Sequence, residues 1–512
     1  MPCLVAGSKP ASQLLLNINR QTYETPVKII YVAIILILFN SGPCARATAQ
    51  TLLIDNPTAL LGCAGRSAVR DASPAENLKQ LARDAIASDT SVSRRAIESL
   101  RARGPEGLQA LFDEHAELLK SVPSPLSTTG ERGANEKLFR LKSALDAVGQ
   151  QRDCYASGLY WYTDFEQVKA AAKSTGKPIL SLRLLGNLDE EFSCANSRFF
   201  RTTLYANKEV SAYLRDRFVL HWKSVRPVPK VTIDFGDGRK LERTITGNSI
   251  HYVLDAEGRV IDALPGLYGP KAFLQGLQHA EQIAQRSASV NTGQRQAMLG
   301  EYHRARFAAL NSELGAALQK VSAANSTVPS MVTITPASLL SEPPSAQTSA
   351  RVTASKYRVE RPILDNSLPR PAQNENGPAG IDDATWSKIA ALHEESSKLD
   401  AAARALIRAK SPTAFDARRA AFAKMIVEDP LLRQIRNLER SISEDTARNE
   451  YLLHPRIHAW LANGEMTNVD ELNRKVYTEL FLTPDSDPWL GLVPRDTYTA
   501  LENGGLIQPV RR

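Results

Sequence analysis

One cysteine stands at a position where its sulfur could act as a nucleophile. Cys194 opens a predicted helical segment, and Ser197 follows it one turn later. A thiol at a helix N-terminus meets unsatisfied backbone N–H groups and the positive end of the helix dipole, which stabilise the thiolate. Arg198 adds positive charge, whereas Glu190 and Glu191 oppose thiolate formation. Because Ser197 has no thiol, it cannot close a disulfide with Cys194, and any mixed disulfide would wait for an external thiol.

Two histidines lie at the ends of predicted strands near this cysteine. His221 is close to the end of the strand Phe218–Trp222, and His251 is close to the start of the next strand. If these strand ends form a groove around Cys194, the imidazoles and the thiol could cluster and activate the sulfur. The alternative is that both histidines are core or groove-lining residues without a chemical role.

A second histidine pair lies near the C-terminus. His454 and His458 are four residues apart, a spacing that places two metal ligands on one face of a continuous helix, with Glu450 one turn earlier. Pro455 disfavours helical geometry at His454 and predicts the start of a new helix there. Although His393 lies in the same region, no third and fourth ligand is evident. We therefore predict no metal site, and His454 and His458 remain candidate ligands only.

Composition and motifs argue against several functional classes. The 512 residues carry a net charge of +8 and 43% of them are hydrophobic, which are ordinary values for a globular chain. Lysine and arginine are spread along the sequence without a dense basic run, which disfavours nucleic-acid binding. The sequence has no phosphate-binding loop, dinucleotide-binding glycine pattern or zinc-finger spacing, and no nucleophile-elbow glycines surround Ser197. We predict no cofactor.

Strand and helix patterns alternate around Cys194. The predicted elements are the strand Leu159–Tyr162, the helix Phe165–Lys173, the strand Pro178–Leu184, a helical segment from Cys194 to Arg215, the strand Phe218–Trp222, the hairpin Ile250–Ala263 and the helix Pro270–Gln282. A further hairpin, Lys230–Thr246, turns at Gly236-Asp237-Gly238. We expect a mixed sheet with Ile179–Leu184 in its centre and in parallel pairing with Phe218–Trp222.

This order of elements resembles the thioredoxin-like superfamily. Three segments carry the resemblance: Asp164–Ile179 with its Gly176-Lys177-Pro178 motif, Asn207–Val219, and Leu254–Gly266. The resemblance implies that the turn beginning at Cys194 is the active-site turn, with Ser197 in place of the second cysteine. It also implies that Ser249, after Asn248, replaces the cis-proline that docks the substrate backbone. In an active protein of this type, Cys194 is the nucleophile and Ser197 hydrogen-bonds its sulfur.

The N-terminal region predicts export. Ile29–Phe39 is an apolar run that is shorter than the about 20 residues needed to cross a membrane, and the small residues Ala45 and Ala47 follow it. This pattern is typical of a signal peptide, which we assign to residues 1–49, and indicates a periplasmic or secreted protein. An uncleaved signal anchor at 29–39 is the alternative.

Cleavage of such a leader would keep Cys63, Cys154 and Cys194 in the mature chain. An odd number of cysteines leaves at least one thiol free or in an intermolecular bond. Cys63 and Cys154 could pair, or all three thiols could be unpaired and buried.

The whole chain is predicted to be a multidomain α/β plus α protein. Residues 50–152 form a helical domain in which Val92–Phe112, broken at Gly104-Pro105, resembles a HEAT-type helix pair; 153–290 form the thioredoxin-like domain; 291–380 form a helical extension and a flexible linker; and 381–512 form a C-terminal helical domain. The central domain is therefore expected between two helical domains.

The favoured function is the binding of a protein or peptide partner in the cell envelope, because Ser197 and Ser249 alter both hallmarks of the redox site. The alternative is monothiol thiol–disulfide exchange through Cys194, so enzymatic activity stays undecided. The groove residues of either function are Asn248, Ser249, His251, His221 and Arg198.

The leader assignment is tested with an alkaline phosphatase fusion after Thr51. Because the enzyme folds only after export, we expect an active fusion. A fusion to a reporter that functions only in the cytoplasm serves as the control and should be inactive. The opposite pair of results would contradict export.

Overall fold

A five-stranded mixed sheet lies at the centre of the computed structural model. The structure describes residues 74–120, 132–244, 247–323, 381–411, 430–464, 466–486 and 500–501, and their fold is mixed α/β and mostly helical. The leader predicted over 1–49, Cys63 and the linker predicted within 325–379 lie outside the described residues.

The strands of the sheet are β1 (Trp161–Tyr162), β2 (Ile179–Leu185), β3 (Val219–Arg226), β6 (Ile250–Leu254) and β7 (Val260–Pro265), in the order β1-β3-β2-β6-β7. β1 and β2 run parallel to β3, whereas β6 is antiparallel to both β2 and β7. The predicted central position of β2 and its parallel pairing with β3 are confirmed. Every residue of β2 is buried, which explains its nearly continuous apolar sequence. The predicted extra hairpin, β4 (Lys230–Asp234) and β5 (Lys240–Thr244), forms a separate sheet.

The helices fall into three sequence groups. Before the sheet lie α1 (Pro74–Asp84), α2 (Thr90–Ala102), α3 (Pro105–Glu114), α4 (Ala116–Lys120) and α5 (Arg132–Gly149). The short helix α6 (Cys154–Ser157) directly precedes β1, and within and directly after the sheet lie α7 (Phe165–Thr175), α8 (Ala195–Phe199), α9 (Lys208–Arg217), α10 (Pro270–Ala288) and α11 (Thr292–Ala323). The C-terminal group comprises α12 (Asp383–Ala391), α13 (Ala401–Lys410), α14 (Pro430–Arg448), α15 (His454–Ala462) and α16 (Val469–Lys475).

Local signals explain several helix boundaries. The Asp164 side chain accepts a hydrogen bond from the backbone N–H of Gln167 and caps α7, which ends at Gly176 with a φ of 68°. Asn207 caps α9 in the same way. The predicted break at Gly104-Pro105 separates α2 from α3. These boundaries agree with the sequence because each depends on a few neighbouring residues.

The strand register sends side chains to two opposite faces of the sheet. Ser181 of β2 is the partner of His221 and Tyr252, whereas Leu182 is the partner of His251. Paired residues share a face and successive residues alternate, so His221 and His251 point in opposite directions. The sheet therefore needs a covering layer on each side.

Each face is covered by elements from different parts of the chain. On the first face, the Phe165 ring of α7 lies 5.2 Å from the His221 ring, and Tyr252 donates a hydrogen bond to Asn473 of α16. On the second face, the His251 ring contacts the ring of Phe200 and the ring of Phe273, which belongs to α10. The apolar core consequently continues from the sheet into the C-terminal helices, through residues such as Trp386, Ile457 and Tyr477.

The N-terminal helices have an apolar cluster of their own, which includes Leu100, Leu111, Leu145 and Cys154. Arg101 connects this cluster to the sheet, because its guanidinium donates hydrogen bonds to the carbonyls of Val148 and Trp161. The resemblance of α2 and α3 to a HEAT-type helix pair stays a prediction.

The helices α14 and α15 are joined by a π-helical turn, Asn449–Leu453. His454 has helical backbone angles, with φ −60° and ψ −44°, so the prediction that Pro455 removes it from helical geometry is wrong. Proline lacks an N–H and its ring clashes with a carbonyl of the preceding α-helical turn. The wider π-turn lies where this clash would occur, and Pro455 then occupies the first turn of α15.

Among the residues that the structure describes, no helix combines the length and the apolar character required to cross a membrane.

Asp146 of α5 provides a pH-dependent test of how the N-terminal helices pack. Its carboxylate accepts hydrogen bonds from the backbone N–H of Cys154 at 2.8 Å and from Arg152 at 3.1 Å. Burial nevertheless raises the pKa of Asp146 from 3.8 to about 6. The folded protein therefore retains a proton that the unfolded chain loses, and the stability that this proton provides is lost as the pH rises from 4 to 6.

Asp146→Asn keeps an acceptor for Cys154 and cannot titrate. We expect the free energy of unfolding of the wild type, minus that of the variant, to fall by about 2 kcal/mol across this pH window. Urea unfolding at several pH values measures the difference. Asp113→Asn, at an exposed position on α3, is the control. A difference that rises with pH would contradict the assignment.

Candidate functional site

Cys194 is the N-cap residue of α8, as predicted. Its backbone N–H donates a hydrogen bond to the carbonyl of Leu185 at the end of β2, and its carbonyl accepts one from the N–H of Arg198. Arg198 is half-buried on α8. The cysteine itself has no solvent exposure, so its sulfur lies inside the protein.

The sulfur of Cys194 lies 3.0 Å from the hydroxyl oxygen of Ser249. Ser249 immediately precedes β6, and this contact confirms that Ser249 lies beside the Cys194 turn. The predicted hydrogen bond from Ser197 to the sulfur is wrong. The Ser197 hydroxyl contacts the Ser193 hydroxyl and the Cys194 carbonyl instead, because a side chain in the first turn of a helix reaches the backbone of that turn.

His221 and His251 do not form a pair with Cys194. The His251 ring hydrogen-bonds the Tyr205 hydroxyl at 2.6 Å, and the His221 ring hydrogen-bonds Ser181 at 2.8 Å on the opposite face of the sheet. Burial lowers the pKa of each histidine to about 3, and Arg183 adds to this effect at His221. Both imidazoles are neutral near pH 7 and serve the core.

A C-terminal segment, residues 467–483, contacts Asn248 next to the Cys194–Ser249 contact, and we call it the C-terminal cover. The Tyr477 hydroxyl donates a hydrogen bond of 2.9 Å to the backbone carbonyl of Asn248. The Asn248 side-chain amide donates one to the Thr483 hydroxyl, also at 2.9 Å. The carbonyl and the side-chain amide of Asn248 thus both have hydrogen-bond partners in the cover.

The cover is held at two further points. Arg183 of β2 is 2% exposed and donates a hydrogen bond to Asp470, which also pairs with Lys223 of β3. At the β7 edge of the sheet, the backbone N–H of Val260 donates a hydrogen bond to the carbonyl of Thr467. A buried guanidinium is costly without a charged partner. The pairing of Arg183 with Asp470 therefore stabilises the attached position of the cover.

A second group of chemically active side chains is buried between the sheet and the C-terminal helices. Asp262 of β7, His303 of α11, and His454 and His458 of α15 are each at most 2% exposed, and we call these four residues the histidine cluster. The Nδ1 atoms of His303 and His458 are 2.9 Å apart. The Asp262 Oδ1 atom lies 3.9 Å from His458 Nδ1 and 3.6 Å from His454 Nε2.

The histidines of the cluster differ in their pKa values. Burial lowers the pKa of His303 to about 4 and holds that of His458 well below its usual value. At His454 burial acts in the same direction, but the nearby carboxylates of Asp262 and Glu450 outweigh it and raise the pKa to about 9. The cluster therefore contains two neutral imidazoles, a protonated His454 and an ionised Asp262 carboxylate.

The sequence prediction found half of this cluster. The spacing of His454 and His458 was visible, but their partners lie far away in the chain, and His303 belongs to a polar helix without any other signal. Asp262 had one detectable feature, since it is a charged residue within the apolar strand Val260–Pro265. His393, the other candidate, contacts the Tyr451 ring instead.

No protein-family model, curated protein or solved structure matches this chain.

Ser249→Ala tests the contact at Cys194. Loss of the hydroxyl leaves a buried thiol without this partner, and we expect a loss of about 1 kcal/mol in the free energy of unfolding, measured by urea denaturation. Ser99→Ala, at an exposed position of α2, should change stability by less than about 0.5 kcal/mol. Equal stability of the two variants would mean that the Cys194–Ser249 contact contributes nothing.

Proposed function

We propose that this chain is an exported thioredoxin-like binding protein whose groove beside Cys194 holds a peptide segment rather than exchanging disulfides. The observation that carries the proposal is the hydrogen bond from Tyr477 to the carbonyl of Asn248, next to the Cys194–Ser249 contact. A polypeptide of the chain itself occupies the groove in this state.

The topology supports a thioredoxin-like domain. A thiol lies at a helix N-terminus after the central strand, and Ser249 lies beside it directly before the antiparallel strand β6. These are the relationships that the resemblance implies for the active-site turn and the proline position. The sheet order and the closing helix α10 agree with the same interpretation.

The groove has the chemistry of a peptide site. Asn248 offers a backbone carbonyl and a side-chain amide, and both are used by the cover. Arg226 adds a hydrogen bond to the carbonyl of Thr483. The cover meets these groups with the side chains of Tyr477 and Thr483 and with the Thr483 carbonyl, so recognition would depend on those side chains. An external peptide would bind by displacing the cover.

The complete burial of Cys194 argues against disulfide exchange while the cover is in place. The sulfur of Cys194 must reach a disulfide to attack it, yet Cys194 has no exposure and Ser197 supplies no second thiol. Cys154 is also fully buried, and burial raises the pKa of its thiol well above the usual value. Monothiol exchange through Cys194 remains the alternative and requires that the cover open.

Iodoacetamide labelling under native conditions tests the cover. In the wild type we expect slow labelling of Cys194, because the sulfur is reached only when the cover opens. The double variant Tyr477→Phe/Thr483→Ala removes two hydrogen bonds of about 1 kcal/mol each, so labelling should accelerate about tenfold or more. Cys154 is the internal control and should stay protected, and Tyr162→Phe in β1 is the matched tyrosine control.

Peptide binding then distinguishes the two functions. A fluorescent synthetic peptide of residues 466–483 should bind the double variant more tightly than the wild type, measured by anisotropy. Adding Cys194→Ala should leave this binding unchanged. Loss of binding with Cys194→Ala, or rapid attack of Cys194 on glutathione disulfide in the wild type to form a mixed disulfide and release reduced glutathione, would favour the monothiol function and reject the binding proposal.

A further inference from the structure

We propose that the histidine cluster is a binding site for a divalent transition metal of the zinc class, with Asp262, His303 and His458 as ligands and His454 as a positioning residue behind Asp262. This inference concerns residues outside the groove and does not depend on the proposed function. It begins from the geometry of three donor atoms. One atom each from Asp262, His303 and His458 lies within 4.8 Å of the other two.

His454 is not part of this group of three donors, but its Nε2 atom lies beside Asp262. This atom lies 3.6 Å from Asp262 Oδ1, which is too far for a hydrogen bond, and it is buried without any hydrogen-bond partner. The Nε2 atom of His458 is also buried without a partner. Unsatisfied buried polar atoms cost free energy, so the cluster has the polar character of a site that accommodates a further group.

Supporting contacts hold the ligands from behind. The Nδ1 atom of His454 lies 3.3 Å from a carboxylate oxygen of Glu450, which leaves Nε2 directed toward Asp262. Tyr302 donates a hydrogen bond to Oδ2 of Asp262, and the N–H of Ala263 donates one to Oδ1. Groups behind the metal ligands commonly fix the orientation of those ligands. Here Glu450 would act as a positioning residue through His454, which lies beside Asp262.

The donor types select the class of metal. Two imidazoles and one carboxylate suit Zn²⁺ and its neighbours, whereas Mg²⁺ and Ca²⁺ prefer oxygen ligands. Three protein ligands leave the fourth position of a tetrahedral Zn²⁺ site to water or another group. A metal here would join β7, α11 and α15, which are distant in the sequence, and would fix the C-terminal helices to the sheet.

Cobalt(II) is the test probe, because its visible absorption reports coordination directly. The full chain is freed of metal with a chelator and titrated with Co²⁺. We expect an intense tetrahedral spectrum that saturates at equimolar metal and disappears when Zn²⁺ is added, and a rise in Tm with Zn²⁺ but not with Mg²⁺. Absence of both the spectrum and the Tm shift in folded wild-type protein would overturn the proposal.

Variants then assign the ligands. His458→Ala should abolish the Co²⁺ spectrum, whereas His279→Gln, at an exposed position on α10, should leave it unchanged. Glu450→Gln should retain the spectrum but weaken metal binding about 10- to 100-fold, as expected for a positioning residue. Circular dichroism checks that each variant is folded. An unchanged affinity in a folded His458→Ala variant would also reject the site.

Discussion

Burial of the central strand on both faces is the constraint on which the rest of this structure depends. β2 lies between β3 and β6, and every one of its residues is buried, including Ser181 and Arg183. Apolar residues on both faces require two covering layers, and a buried guanidinium requires a charged partner. The N-terminal half of the chain supplies only part of the first layer, through α7. Asp470 and the helix α16 supply the remainder from the C-terminal region.

This packing has a direct consequence for Cys194. The segment that pairs with Arg183 continues as Tyr477 and Thr483, which contact Asn248 beside the cysteine. The element that completes the sheet therefore also contacts the residues beside Cys194. In the proposed function, the access of other molecules to the buried thiol depends on the free energy that holds the cover in place.

The histidine cluster lies where the same C-terminal region meets β7 and α11. Asp262 is a charged residue in a buried strand, and its carboxylate interacts with Tyr302 and with the histidines of α15. Two polar centres thus connect the sheet with residues beyond 450, one at Arg183 and one at Asp262. Each replaces water around a buried charge with groups from a distant part of the sequence.

Local features of this protein were determined by the sequence itself. The order of strands and helices, the caps at Asp164 and Asn207, and the hairpins depend on short-range patterns, and the order and the hairpins were predicted. The position of Ser249 beside Cys194 was implied by the thioredoxin-like resemblance. Tertiary structure alone decided which hydroxyl reaches the sulfur, how a π-turn accommodates Pro455, and which segment contacts Asn248 beside Cys194. It also brought together His303 and His458, which are 155 residues apart, because contacts over such separations arise from packing of whole elements and have no counterpart in local spacing.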